Sequence, residues 1–400
     1  MLHFDAHVHI GNIDSSKLPK SDLLGYKSYS KNTASSYIRK ALSCGVSKAI
    51  IFPFVFPEFS FEKQNDYVLS QAKRYPYFFL PFLLPESLTS LSARNDRFYG
   101  IKDHFYFDKL EDRNLVLDYA QSNKKIYLIH SHFKRWKDSI SNICNNFPSL
   151  KVIIAHSARP TPFSAVGMRE QLTEILNLIP NKLRNNFYFD TSTIRDPSGI
   201  EFLVSKVGAD HVIWGTDSPY FNNEGENVIK EEIDTINNTK ISDSDKKLIF
   251  EDNFRFLLQE NKTWTRISTT HDASILQSML YTIPKEEQKF LALQLKMDLL
   301  KQLIRKGKHI IIAESSKGEI QGFLRWSDRH NNTVMIEEVY VLPKYRLNKI
   351  ATLLISNILP TYNRAQVKTF ANNDGINHLL KKMLFKPTFS KKRTMISWTL

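Results

Sequence analysis

Only two cysteines, Cys44 and Cys144, occur in this 400-residue chain. That is too few for a disulfide framework, and it fits a reducing cytoplasm. No run approaches the roughly 18 uninterrupted apolar residues of a membrane span, so no membrane partner is expected. The opening residues are strand-like, with no basic region leading into an apolar stretch, which argues against secretion. Internal repeats and low-complexity tracts are also missing. Acidic charge is the scarcer sign, with 41 Asp+Glu against 55 Lys+Arg. The imbalance is local: from Glu260 onward 23 basic residues face 11 acidic ones, so +12 of the formal +14 lies there. A basic module suits a polyanion, either nucleic acid or a phosphate-rich cofactor. A merely solubilising excess explains the charge equally well until motifs are read.

Four hundred residues exceed one ordinary domain, and two are expected. The first 258 residues alternate strand-like and helix-like segments. Strand-like runs lie at Ser47–Phe52, Tyr77–Leu84, Phe98–Lys102, Ile126–His130, Lys151–His156, Phe187–Thr191 and His211–Gly215. The opening segment makes eight. Helix-patterned stretches, such as Asp66–Tyr75, Asn114–Ser122 and Met168–Asn177, separate them. Val152-Ile153-Ile154-Ala155 is wholly apolar, as a strand covered on both faces requires. Alternation predicts a parallel sheet, and eight repeats predict a (β/α)8 barrel. The alternative, an open doubly wound sheet, lacks a Gly-rich phosphate loop after its first strand.

Phe4-Asp5-Ala6-His7-Val8-His9-Ile10 organises this half. Side chains alternate along a strand, so Asp5, His7 and His9 share one face, and two imidazoles there can bind one divalent cation. In a barrel, functional residues gather at the C-terminal ends of strands. Those ends supply Lys102 and His104, His130, His156, and Asp217 in Trp214-Gly215-Thr216-Asp217-Ser218-Pro219. Taken alone, His156 reads as a core histidine and Asp217 as a helix cap; together they outline one mouth. His132 reads as a loop histidine. Arg159-Pro160 and Arg195 follow strands six and seven, where a cation can hold a substrate carboxylate or simply lie on the surface. Phe52-Pro53-Phe54-Val55-Phe56-Pro57 either walls an apolar pocket or packs.

With these motifs, residues 2–258 resemble the amidohydrolase superfamily, in its amidohydrolase-related branch of hydrolases, lactonases and decarboxylases. Asn65-Asp66, Gly100-Ile101-Lys102-Asp103-His104, Leu128-Ile129-His130 and Phe147-Pro148-Ser149-Leu150 carry the resemblance further. It implies a (β/α)8 TIM barrel over 1–258 with His7, His9, His130 and Asp217 as metal ligands. His156 would ligate a second metal or polarise substrate. Zn²⁺ suits such donors best, with Mn²⁺ or Fe²⁺ as alternatives. The implied chemistry is hydrolysis of a small-molecule amide, ester or lactone by metal-activated water, with Asp217 relaying the proton. Asp5 would orient a ligand. A carbamylated Lys102 bridging two metals, and metal-dependent decarboxylation, stay open.

A break falls near Gln259-Glu260-Asn261-Lys262. Beyond it the pattern predicts strands at Trp264–Ser268, His309–Glu314, Glu319–Trp326, Val334–Val341, Val367–Ala371 and Thr394–Leu400. Helices are predicted at Lys285–Lys306, Asn348–Leu359 and Ile376–Met383. The run Val339-Tyr340-Val341-Leu342-Pro343-Lys344-Tyr345-Arg346-Leu347-Asn348-Lys349-Ile350-Ala351-Thr352 passes from strand to helix, where backbone amides can hold a pyrophosphate. It resembles the acyl-coenzyme A turn of GNAT-type acetyltransferases, Arg/Gln-x-x-Gly-x-Gly/Ala, over residues 264–400. By that resemblance Val339, Val341, Arg346, Lys349, Ile350, Ala351, Thr352 and Asn373 bind acetyl-CoA in a smaller α+β domain, and Glu337 or Glu338 is the base. Three departures stand out: Lys349 replaces a glycine, Leu380 the usual tyrosine acid, and Leu384 a second glycine. The combined expectation is a cytoplasmic, multifunctional enzyme acting on small molecules rather than nucleic acid. A coenzyme sensor or a basic interaction module is the alternative for the C-terminal domain, and the oligomeric state, homo-oligomer included, is open.

Overall fold

The computed structural model describes all residues except 13–30, 56–58, 86, 105–112, 131–134, 160–164, 221–226, 259–261, 289–308 and 391–393. His132, Pro160, Phe56-Pro57 and most of the helix expected over Lys285–Lys306 therefore lie outside the described residues. The chain divides into two compact units, Met1–Ala72 with Phe79–Leu258, and Lys73–Phe78 with Gln259–Leu400.

In the first unit eight parallel strands follow in chain order: β1 (His3–Asn12), β2 (Val46–Pro53), β3 (Phe79–Leu83), β4 (Gly100–His104), β5 (Ile126–His130), β6 (Val152–Ile154), β7 (Phe187–Asp190) and β8 (Val212–Ile213). All eight residues of β2 are buried, which explains its unbroken apolar centre Ala49-Ile50-Ile51-Phe52. Closure of the barrel falls to the irregular segment after β8. Ala6 N donates to Trp214 O (2.9 Å), Asp217 N to His7 O (2.8 Å) and His9 N to Ser218 O (2.8 Å). Gly215 permits that approach, since a Cβ there would lie 2.8 Å from His7 Cβ. β1 is thereby clamped on both sides, and its two histidines are fixed relative to Asp217. The expected (β/α)8 barrel is nearly closed in this way.

Two local readings change. β6 ends at Ile154 rather than reaching His156. Ala155–Ala158 instead form a tight helical turn in which His156 (φ 54°), Ser157 and Ala158 have left-handed φ. The polar tract expected as one last helix over Glu231–Lys247 is two helices, Val228–Asn237 and Asp243–Lys247.

The second unit is a seven-stranded sheet. Its strands are β9 (Trp264–Ile267), β10 (His309–Glu314), β11 (Ile320–Arg329), β12 (Thr333–Val341), β13 (Arg364–Phe370), β14 (Lys386–Phe389) and β15 (Met395–Thr399), in spatial order 9-10-11-12-13-15-14. All neighbours are antiparallel except β12 and β13. That parallel pair is joined only from Thr333↔Arg364 to Ile336↔Val367, although β12 continues to Val341 and β13 to Phe370. Beyond Ile336 the two strands part, opening a cleft in the sheet. The helix Ala273–Tyr281 covers one face, where Leu276, Met279 and Leu280 pack with Ile310, Ile312, Phe323 and Tyr340.

Candidate functional sites

His7 and His9, projecting from β1, aim their Nε2 atoms at one oxygen: His7 Nε2 lies 3.2 Å and His9 Nε2 3.3 Å from Asp217 Oδ1. All three residues are buried, and their donor atoms lie within 4.8 Å of one another. The opposite ring nitrogens are already engaged. His7 Nδ1 donates to Asp190 Oδ2 (2.7 Å) and His9 Nδ1 to Pro53 O (2.8 Å). This fixes the tautomer that leaves Nε2 as a lone pair, the usual arrangement behind a metal-ligating histidine. His156 stands across the site, its Nε2 3.9 Å from Asp217 Oδ2 and its Nδ1 2.8 Å from Ser192 Oγ. The His130 ring packs edge-on against His156 (4.6 Å between centroids) and His104 (4.5 Å). His130 thus neighbours the His7–His9–Asp217 group without belonging to that tight cluster.

Burial, which disfavours the imidazolium, pushes His9 down to about 4 and His130, His156 and His104 well below the ordinary histidine range. His7 is the exception: burial and Lys102 push it down, but Asp190 and Asp217 outweigh them and raise it, so a cation bound there must displace a proton. Burial alone would raise Asp217, but His7 and His156 outweigh it and hold the carboxyl well below its usual range. Lys102, fully buried with Nζ 3.3 Å from His7 Nε2, is lowered by burial to about 8. An imidazole and carboxylate set held from behind in this way fits a divalent transition metal.

Asp190 escaped the sequence reading. One of its oxygens takes His7 Nδ1, and the other takes the backbone N of His156 (2.9 Å) and of Ser192 (3.0 Å). The available signal was a carboxylate closing the apolar strand Phe187-Tyr188-Phe189. Asp5 works through the backbone: its oxygens accept from His7 N (3.1 Å), Thr216 N (3.0 Å), Thr216 Oγ1 (2.6 Å) and Tyr37 OH (2.7 Å). It ties β1 to the closing segment and does not touch a ligand ring. Arg195 is held by Glu231 (2.9 Å) and Glu232 (3.6 Å). Arg159 is buried and lowered to about 10, with burial outweighing the attraction of Asp217.

The cleft between β12 and β13 in the second unit holds about 470 Å³. Glu337, Glu338, Val339, Val341, Arg346, Ala351 and Asn373 all line it. Lys349, Ile350 and Thr352 stand at the start of the helix Ile350–Ile358, outside that lining, and Ile350 is buried in the core. Lys349 adopts φ 60°, the left-handed conformation that suits glycine. Leu384 does the same at φ 66°. Leu380 is fully buried and offers no acid. Glu337 and Glu338 share Arg325, whose Nε donates to Glu338 Oε2 at 2.6 Å while Nη1 contacts Glu337. The guanidinium of Arg346 is held by Glu287 at the wall of the cleft.

Residues 138–257 match the family model described as amidohydrolase, and residues 277–384 match the acetyltransferase (GNAT) family. The barrel is similar to a probable 2-pyrone-4,6-dicarboxylic acid hydrolase of Acinetobacter baumannii crystallised with citric acid. That likeness has 14% identity and TM-score 0.51, and covers 64% of this chain and 99% of that one. An amidohydrolase of Burkholderia multivorans with bound zinc is similar at 12% identity and TM-score 0.51, over 64% and 99%. A 2,6-dihydroxybenzoate decarboxylase from Rhizobium follows at 15% identity and TM-score 0.49, over 65% and 99%. Among the described residues no helix is long and apolar enough to cross a membrane.

Proposed function

We propose that this chain, an amidohydrolase-superfamily barrel joined to a GNAT-family domain, is a two-domain enzyme. Its barrel hydrolyses a small-molecule amide, ester or lactone, and its second domain transfers acetyl from acetyl-CoA to an amine. The observation that carries the first half is the convergence of His7 Nε2 and His9 Nε2 on Asp217 Oδ1, with both Nδ1 atoms held from behind. His7, His9 and Asp217 would hold the cation, with His130 or His156 completing the set. Zinc is the leading candidate for these donors, and a bound zinc is what the Burkholderia neighbour carries. Such an ion would polarise a carbonyl and lower the pKa of a water ligand toward about 7. Asp217, ionised at neutral pH, takes the proton of the attacking water and returns it to the leaving amine or alkoxide. His156, facing Asp217 from across the site with its Nδ1 held by Ser192, presents an Nε2 lone pair to the cation or to a substrate proton. Asp190 keeps His7 and the backbone of His156 in register throughout.

For the second domain, the reading is supported by the parted strands β12 and β13 with the strand-to-helix turn at Arg346–Thr352 beside them. Beyond Ile336 β12 no longer pairs with β13, and Val339 and Val341 line the cleft where a pantetheine arm would lie. Glu338, buried against Arg325 in the cleft wall, is the proposed base, and Glu337 is the alternative.

The test is metal analysis with a screen of amides, esters, lactones and aryl carboxylates, beside titration with acetyl-CoA. The expected result is about one tightly held transition metal per chain, removed in a His7→Ala/His9→Ala variant. Asp217→Asn should lower hydrolysis by at least about 10²-fold while the fold persists. Folded protein that stays metal-free after reconstitution with Zn²⁺ and Mn²⁺ sinks the barrel reading. Release of CO₂ from an aryl carboxylate would make the barrel a decarboxylase.

A further inference from the structure

The arginine of the coenzyme turn is already taken, and what takes it is an acid of the same domain. Glu287, in the short helix Lys285–Gln288, receives Arg346 in a two-pronged pair: Nη1 to Oε1 at 3.0 Å and Nη2 to Oε2 at 2.6 Å. Tyr340 completes the clasp. Its hydroxyl donates to Glu287 Oε2 (3.0 Å), and the guanidinium lies 5.7 Å from its ring centroid. Arg346 Nε is spent on Val341 O (3.2 Å), so both outward-facing nitrogens are the ones that Glu287 holds. All three side chains line the cleft between β12 and β13, with Val341 and Ala351 of the turn beside them.

We propose that Glu287 is an internal occupant of the phosphate seat, a carboxylate that must leave Arg346 before the pyrophosphate of a coenzyme binds there. The inference rests on the acetyl-CoA reading above. A carboxylate and a phosphate present the same pair of acceptor oxygens to a guanidinium fork, so they exclude one another. Polyanion approach also brings like charge against Glu287. Arg346, by donating to it, keeps Glu287 below the usual carboxylate range and hence charged at neutral pH. The pair is weakly held, since Arg346 is 43% and Glu287 27% exposed, and exposed pairs separate at little cost. Glu287 therefore tunes coenzyme affinity without blocking it. Coenzyme binding in turn frees Tyr340 and the Lys285–Gln288 turn.

The experiment is calorimetric titration of the full chain with acetyl-CoA, and separately with inorganic pyrophosphate, at low salt. Glu287→Gln keeps the shape and one hydrogen bond but loses the competing charge. It should bind both ligands about three- to tenfold more tightly than wild type. Arg346→Ala should weaken both, and adding Glu287→Gln to Arg346→Ala should recover less than Glu287→Gln gains in wild type, because only the like-charge repulsion is left to relieve. Far-UV circular dichroism verifies that each variant is folded. Wild-type binding of acetyl-CoA with no gain, or a loss, in Glu287→Gln overturns this proposal alone. So does a gain for acetyl-CoA without one for pyrophosphate, or a gain over Arg346→Ala in the double variant as large as the gain of Glu287→Gln over wild type. No binding by either wild type or Glu287→Gln overturns the coenzyme reading with it.

Discussion

Asp190 shows how much one side chain with only a faint sequence signature can organise. It bonds a histidine 183 positions away and, through its other oxygen, the backbone of His156 and Ser192. Outer partners of ligating histidines typically contribute about 10- to 100-fold to metal affinity. Asp190→Ala should therefore weaken Zn²⁺ binding by about that factor, measured by competition with a chromophoric chelator. Unchanged affinity would mean that the Asp190–His7 bond is only structural. Lys349 and Leu384 raise the opposite question, of residues in a conformation that they do not favour. Both sit at left-handed φ and both are exposed, so neither gives up burial if shortened. The left-handed region costs a side-chain-bearing residue roughly 1–2 kcal/mol, offset in part by the entropy that glycine loses on folding. Lys349→Gly and Leu384→Gly should each stabilise the protein by about 1 kcal/mol in chemical denaturation. Destabilisation of either variant would show that its side chain makes a contact worth more than the strain.

At the level of elements, the helix Val228–Asn237 does more than shield the barrel. Its Glu232, 1% exposed, accepts from Thr193 N (2.9 Å) in the turn after β7, where Thr193 has φ 63°. Ser192, one residue earlier, bonds His156 Nδ1. Burial drives Glu232 well above the ordinary carboxylate range, against the pull of Arg195 and Arg159 and with a small push from Asp217. A group whose folded pKa is raised contributes stability below its unfolded value, near 4.5, and loses it as pH climbs through the folded value. Glu232→Gln retains the acceptor for Thr193 N and removes the titration. Its melting temperature should gain on that of wild type as pH rises from the acid side of 4.5 toward alkaline. Parallel curves would mean that Glu232 titrates alike in the folded and unfolded chains, so that its burial is without effect on its proton affinity.

The same scale explains what could be read beforehand. All eight barrel strands were legible because apolar runs in alternation with amphipathic stretches leave few other folds, and Ile126–His130 matches the observed β5 to the residue. His156 was misplaced by one element because a left-handed turn of His, Ser and Ala carries no glycine or proline to announce it. The edge strand Lys386–Phe389 was missed for a related reason: all four of its residues are exposed and one is proline, so no burial pattern marks it. The roles of Glu287 and Asp190 could not be assigned beforehand because their partners, Arg346 and His7, are brought to them only by the finished fold.

For the whole molecule, the uneven charge makes the two proposed activities respond differently to the solvent. Of the formal +14, +12 lies from Glu260 onward and about +2 in the barrel half. Much of the excess is exposed: Lys344, Lys349, Lys381, Lys382 and Lys386 are all at the surface. Surface charges act over a Debye length of about 10 Å at 0.1 M salt and about 3 Å at 1 M. A polyphosphate coenzyme approaching that surface is drawn by the whole field, so its affinity should fall several-fold between about 50 and 500 mM salt. The barrel's chemistry depends on groups buried in one tight cluster, which salt screens far less. Hydrolysis of an uncharged ester or lactone should therefore stay within about twofold over the same range. Measuring acetyl-CoA affinity and hydrolytic turnover on one preparation across a salt series decides the matter. Equal insensitivity would mean that the positive charge of the second half serves solubility and not the recognition of a phosphate ligand.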